Sequence, residues 1–205
     1  MMCYRAAVET VIHLIRHGQV HNPDNVRYGH LAGFRLSERG RAQAHLAARQ
    51  LRDRGITEVI TSPLERAVET AGILARELAL PAPLTDARLI EPPNRFDGQS
   101  RYAQLRPWTW PKLWNPFAPS WAEPFADVAR RMRSIIDDHR RGGSIVLVSH
   151  QTPIWLARHA YEGAWGPPWL IPIHCTPASI TSLRFATSGR YLGYTYWSPP
   201  EITLA

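Results

Sequence analysis

Lysine is almost missing from this chain. Of 24 basic residues only Lys112 is not arginine, and the formal net charge is still +7. Such a charge invites a nucleic-acid partner, yet the arginines are scattered and form no Lys/Arg block, so no nucleic-acid binding is expected. Cysteine is equally scarce. Cys3 and Cys175 alone offer neither a disulfide framework nor a metal-ligand cluster. No apolar run approaches the roughly 20 residues that span a bilayer. The short one after Ala6 is broken by Glu9 and His13, which argues against a signal peptide. A soluble, cytoplasmic protein without a membrane partner is expected. There is also no Walker-type glycine loop and no carboxylate cluster suited to magnesium, so no metal and no cofactor are expected.

Present instead are 205 residues with the apolar content of a globular core, together with frequent proline and tryptophan. The length fits one domain over 1–205. Short apolar runs at 11–16, 58–61 and 144–149 read as buried strands. Between them lie helical patterns. One runs from a Ser37 cap to about Arg54, with Ala42, Leu46, Ala47 and Leu51 inward. A second follows Ser62-Pro63-Leu64-Glu65, where Ser62 would cap and Glu65 complete a capping box; it buries Val68, Ala71, Leu74, Ala75 and Leu78 to about Leu80. Others cover Trp121 to about Arg141 and Gln151 to about Tyr161. Ile180–Phe185 and Tyr191–Trp197 alternate like a hairpin about Ser188-Gly189. Strands alternating with helices predict an α/β class, a three-layer α/β/α sandwich on a largely parallel sheet. The irregular stretch at about 92–121, with Trp108, Trp110, Trp114, Phe117 and Trp121 among prolines, reads as an insertion or lid, or equally as a satellite core. Exposed tryptophans there leave a homodimer open.

One pattern occurs three times: an apolar strand, a polar residue at its end, then a turn. The first strand ends in Arg16-His17-Gly18, the second in Thr61-Ser62-Pro63 with Arg66 just beyond, the late one in Ser149-His150. Each has an ordinary explanation taken alone; an Arg-His pair closes many strands at a surface, and Arg66 could be a solvated arginine. In a parallel sheet, however, the carboxyl ends of the strands share one side, and ligands bind there. Two histidines and two arginines would then converge. Arginine forks suit phosphate oxygens, and a cation in the first turn of a helix is unfavourable unless an anion binds at that terminus. Phosphoryl transfer without metal asks for a nitrogen nucleophile within fixed positive charge. The leaving alcohol needs a proton, for which Glu91 is the candidate donor and Asp97 the fallback.

Leu14-Ile15-Arg16-His17-Gly18, Ser62-Pro63-Leu64-Glu65-Arg66-Ala67-Val68-Glu69-Thr70 and Val148-Ser149-His150 resemble, in order, the three signatures of the histidine phosphatase superfamily, branch 1, which has the phosphoglycerate mutase-like fold. The resemblance covers about residues 11 to 186. It implies that His17 is the nucleophile that becomes phosphorylated and that Arg16, Arg66 and His150 surround the phosphoryl group. Glu91 would be the proton donor that later activates water. The family's loop asparagine matches Asn22 with a spacing one residue shorter, and Gln151 stands beside His150 where glycine is common; both are candidate substrate-binding positions. Phe96-Asp97-Gly98 replaces a Trp-Glu-Gly found in many members. The implied activity is a metal-independent phosphomonoesterase acting on a small-molecule phosphate ester through phosphohistidine. The alternatives are a mutase-type phosphotransferase and a non-catalytic phosphate-binding module. Gln19-Val20-His21-Asn22-Pro23 departs from the longer mutase loop, and the tryptophan-rich stretch suits a bulky or stacking alcohol.

Overall fold

The computed structural model describes residues 9–100, 102–103, 106–107, 111, 115, 123–140, 142–163 and 174–202. Its six-stranded sheet runs in the order β3-β2-β4-β1-β5-β6. The strands are β1 (Thr10–Arg16), β2 (Ile56–Thr61), β3 (Leu84–Thr85), β4 (Ser144–Ser149), β5 (Ile180–Phe185) and β6 (Tyr191–Trp197). β3, β2, β4 and β1 are mutually parallel, and the β5–β6 hairpin closes the β1 edge antiparallel. Among the described residues four helices cover the sheet: α1 (Glu38–Leu51), α2 (Glu65–Glu77), α3 (Phe125–His139) and α4 (Gln151–Glu162). Among the described residues no helix is long and apolar enough to cross a membrane.

The two faces follow from strand alternation. Ile12 and Leu14 of β1 and Ile145 and Leu147 of β4 join Met132, Ile135 and Ile136 of α3 and Ile154 and Ala157 of α4. Their neighbours Ile15, Val146 and Val148 point the other way, onto Ala47 and Leu51 of α1 and Ala67, Ala71 and Leu74 of α2. This is the expected three-layer sandwich.

Several local expectations need correction. The inward face of α1 is Gly40, Gln43, Ala44, Ala47, Ala48 and Leu51, so Ala42 and Leu46 sit at its flanks. Val68 is exposed, and α2 buries Arg66, Ala67, Thr70, Ala71, Ile73, Leu74 and Ala75 instead. Neither end of the proposed capping box is used: Leu64 is the N-cap of α2 and makes no side-chain cap bond. Glu65 accepts a hydrogen bond from the Gly33 N–H across to another loop (3.0 Å). α3 begins only after Pro124. Ser37 does cap α1, accepting from the Gly40 N–H at 3.1 Å. The tryptophans at 108, 110, 114 and 121, Phe117 and Lys112 lie outside the described residues.

Candidate active site

Register brings the three strand ends level. Arg16 of β1 pairs with Ser149 of β4, and Thr61 of β2 pairs with Val148. His17, Ser62 and His150 therefore leave the sheet side by side.

The exit from β1 is fixed by a close backbone approach. A Cβ on Gly18 would stand 2.4 Å from the Gly40 carbonyl oxygen, and one on Gly40 would stand 2.0 Å from that of Gln19. Only glycines let the first turn of α1 press against the chain that follows His17. The Gly18 N–H donates to Thr70 Oγ1 of α2 (3.1 Å), whose hydroxyl donates to the Arg66 carbonyl (2.7 Å). Thus the turn carrying the histidine and the helix carrying the arginine are tied together.

His17 is 3% exposed. Its Nδ1 lies 2.8 Å from the Gly18 carbonyl, which can only accept, so the ring proton sits on Nδ1 and Nε2 carries the lone pair. Arg66 Nε donates to that lone pair at 3.2 Å, which agrees with the same tautomer. Burial first, and then Arg66 and Arg16, hold the His17 pKa well below its ordinary value. The ring is therefore held toward its neutral form. His150 is 1% exposed and lies with its ring centre 5.1 Å from that of His17. Burial, with His17, Arg66 and Arg16 nearby, pushes its pKa well down too. Its Nε2 is 2.7 Å from Ser62 Oγ, while Nδ1 is buried with no partner.

Arg66, the second residue of α2, is 2% exposed. It donates through NH2 to the Gly29 carbonyl (2.8 Å), and its guanidinium lies 4.8 Å from the centre of the Tyr28 ring, which stacks on Phe34. Burial works against its charge; Tyr28, Glu91 and Asp97 favour it. Arg16 donates through NH1 to the Cys175 carbonyl at 2.6 Å and leaves Nε buried and unpartnered.

Glu91 follows a one-turn 3-10 helix, Ala87–Leu89, whose last carbonyl accepts from the Ser149 hydroxyl at 2.6 Å. That bond pins the segment to the end of β4. The Glu91 residue is half-buried, but its Oε2 is shielded and unpartnered. Burial raises its pKa and outweighs the lowering by the Thr152 hydroxyl, Arg16, Arg66 and the Thr152 N–H. A carboxyl whose pKa is raised, placed beside two guanidiniums, suits a general acid. Asp97 is placed differently. One of its oxygens, Oδ2, accepts from the Asn94 N–H (3.2 Å) and closes a turn, and its carboxylate lies against Gly29, where a Cβ would sit 1.9 Å from Oδ2.

The structure thus brings Arg16, His17, Arg66, Glu91 and His150 together. Asn22 holds its own loop, with Nδ2 donating to the Val26 carbonyl (2.9 Å) and Oδ1 accepting from the Val26 N–H (3.2 Å). Gln151 opens α4 directly after His150 and is partly exposed. Sequence reasoning gave no role to Thr70, Thr152 or Tyr28, and cast the Ser62 hydroxyl only as a helix cap. Thr70 sits one helical turn beyond Arg66, a spacing that places both on one face; the others depend on long-range contacts that no local pattern encodes.

Comparison with known proteins agrees with this geometry. Residues 12–196 match the model of the histidine phosphatase superfamily (branch 1). A Mycobacterium tuberculosis protein carrying the name Uncharacterized protein Rv0525 is 45% identical over 186 residues, which are 86% of this chain and 91% of that one. A mycobacterial glucosyl-3-phosphoglycerate phosphatase solved with inorganic phosphate superposes with a TM-score of 0.72 at 26% identity, covering 94% of this chain and 98% of its own. The fold is shared as well by a phosphoserine phosphatase from Entamoeba histolytica solved with 3-phosphoglyceric acid, with a TM-score of 0.76, 21% identity, and 93% and 98% of the two chains covered. With its ordered motifs converged on one buried pair of histidines, the chain belongs to the histidine phosphatase superfamily, branch 1.

Proposed function

We propose that this protein is a metal-independent phosphomonoesterase that works through a phosphohistidine on His17. The observation that carries the proposal is the fixed Nε2 lone pair of a buried histidine, accepting from Arg66 Nε at 3.2 Å, with a carboxyl of raised pKa in the same enclosure. In the first step Nε2 attacks phosphorus, and the P–O bond to the alcohol breaks with its electron pair on the leaving oxygen. Glu91 passes its proton to that oxygen. Arg16, Arg66 and His150 take the phosphoryl oxygens, so charge builds where fixed donors already stand. The Nδ1–H to Gly18 carbonyl bond stabilises the positive charge that phosphorylation puts on the ring. In the second step the Glu91 carboxylate takes a proton from water as its oxygen attacks phosphorus. The N–P bond breaks with its pair returning to Nε2, and orthophosphate leaves.

The substrate in this reading is a small phosphorylated metabolite. The names of the structural neighbours, phosphatases for glucosyl-3-phosphoglycerate and for phosphoserine, support hydrolysis over phosphoryl shuttling. A pocket kept for binding alone would have no use for a carboxyl of raised pKa beside two arginines. The test is hydrolysis of p-nitrophenyl phosphate with a chelator present, beside His17→Ala, followed by trapping of an acid-labile phosphoenzyme. Turnover that survives the chelator and is lost in the variant, with label on the wild type only, is expected. A phosphoenzyme formed equally by His17→Ala would refute the assignment.

A further inference from the structure

The phosphate-facing role of His150 depends on which of its nitrogens carries the proton, and the neutral ring has only one to place. Its Nε2 meets Ser62 Oγ at 2.7 Å, with Ser62 fully buried and His150 1% exposed. The other contact of that hydroxyl oxygen is the Leu64 N–H at 3.4 Å, itself a donor. Among the described residues the Ser62 proton therefore has one acceptor within reach, His150 Nε2. If Nε2 carried the proton instead, two hydrogens would face one another or the hydroxyl proton would be stranded in a buried site. Nδ1 would then be a bare lone pair, which repels a phosphoryl oxygen.

We infer that Ser62 is a positioning residue that donates to His150 Nε2 and so fixes the Nδ1–H tautomer, turning a neutral histidine into a hydrogen-bond donor for the phosphoryl group. The Nδ1 atom is the buried, unpartnered one, and it belongs to the ring that stands 5.1 Å from His17. Both histidines are thereby held as the Nδ1–H tautomer, but each turns a different nitrogen to the site. A carbonyl takes the Nδ1 proton of His17 and leaves the Nε2 lone pair for attack; a hydroxyl fills Nε2 of His150 and leaves Nδ1–H to bind. The same contact explains why Ser62 is not the helix cap that its position before Pro63 suggests, since its oxygen is turned to His150 across 88 residues of chain. This inference rests on the proposed function only in taking a phosphoryl group as the ligand.

The test reads the tautomer directly by nitrogen-15 NMR of histidine-labelled protein near neutral pH, with His150→Ala to assign the signals. The wild type is expected to carry the proton on Nδ1 of His150, and that N–H signal is expected to move when inorganic phosphate is added. Ser62→Ala is expected to shift the ring toward the Nε2–H form and to weaken phosphate binding about tenfold, whereas Ser62→Thr keeps both properties. An Nε2–H signal in the wild type overturns the inference, as does Ser62→Ala binding phosphate as tightly as the parent. Should Ser62→Ala not fold, the wild-type tautomer and the Ser62→Thr affinity decide alone. Neither readout needs turnover. A chain that binds phosphate through Nδ1–H but hydrolyses no ester would refute the proposed function alone; turnover with an Nε2–H tautomer would refute this inference alone.

Discussion

Acid should unfold this protein through a histidine that takes no part in the proposed chemistry. His13 lies on β1, two repeats of the strand alternation before His17, and is 4% exposed. Its Nδ1 meets Ser182 Oγ at 2.8 Å, and its Nε2 is buried with no partner. Burial, with a smaller push from Arg54, lowers its pKa from 6.5 to about 4. The folded state therefore holds the ring neutral, while the unfolded chain protonates it near its ordinary value. Between those two values the unfolded state binds more protons, so stability falls as pH drops. At about pH 4.5 the unfolded ring is essentially fully charged and the folded ring about one quarter charged. The ratio of the two binding terms corresponds to about 2.5 kcal/mol lost relative to neutral pH.

The measurement is urea unfolding of the wild type and His13→Asn at about pH 7.5 and about pH 4.5. The substitution has its own cost through lost packing, which is present at both pH values and cancels in the double difference. His17 and His150 are depressed in the same direction, but they remain in both proteins and cancel as well. The wild type is expected to lose about 2.5 kcal/mol more than the variant over this interval. A double difference below about 0.5 kcal/mol would mean that His13 protonates in place without penalty, and the argument from burial would fail.

Two further outcomes follow from the site. The rate of ester hydrolysis should fall as pH rises through the raised Glu91 pKa, while the lowered His17 pKa moves the acid limb to lower pH. Glu91→Gln should lose this alkaline limb and slow kcat by about 10²–10⁴-fold with an alcohol of ordinary basicity, as a pH-rate profile would record. Gly40→Ala should cost about 2–4 kcal/mol in thermal or urea unfolding, because its Cβ would stand 2.0 Å from the Gln19 carbonyl oxygen and the contact is backbone on backbone. The Ser37→Ala cap variant next to it should cost about 1 kcal/mol.

The layers and the strand ends were legible in the sequence because both depend on local rules. Buried strands are short apolar runs, and a parallel sheet collects their carboxyl ends on one side. Arg16, His17, Arg66 and His150 follow from those two facts. Errors appeared where a side chain had a choice of partner. Ser62 and Glu65 fit a capping box locally, but Ser62 meets His150 and Glu65 meets Gly33, contacts separated by 88 and 32 residues. Val68 carries the right chemistry for the inner face of α2, but the helix is rotated so that Arg66, Thr70 and Ile73 take that face. A helical pattern with alanine at many positions leaves the rotation weakly specified, and the packing of Arg66 into the site settles it. Asn22 was matched to a substrate position by its type, whereas both its amide groups serve the turn to Val26.

The site is costly to the fold, and that cost makes a last prediction. Arg66 is fully enclosed at the positive end of a helix, with burial opposing its charge. Arg16 Nε and His150 Nδ1 are buried polar atoms without partners, brought in from two different segments. Each such atom is a penalty in the free protein and a preformed contact for an anion that can take several donors at once. Inorganic phosphate should therefore stabilise the protein far more than a surface ion would. At one hundred times its dissociation constant the gain is about 2.7 kcal/mol by mass action, which for a chain of this size raises Tm by roughly 5–10 °C. Chloride at equal ionic strength should leave Tm nearly unchanged, since screening does not satisfy directed donors. In Arg66→Ala the phosphate shift should shrink to a small fraction of the wild-type value. If phosphate moved that variant as much as the parent, the stabilisation would come from elsewhere on the arginine-rich surface, and the convergence of these residues would not constitute an anion site.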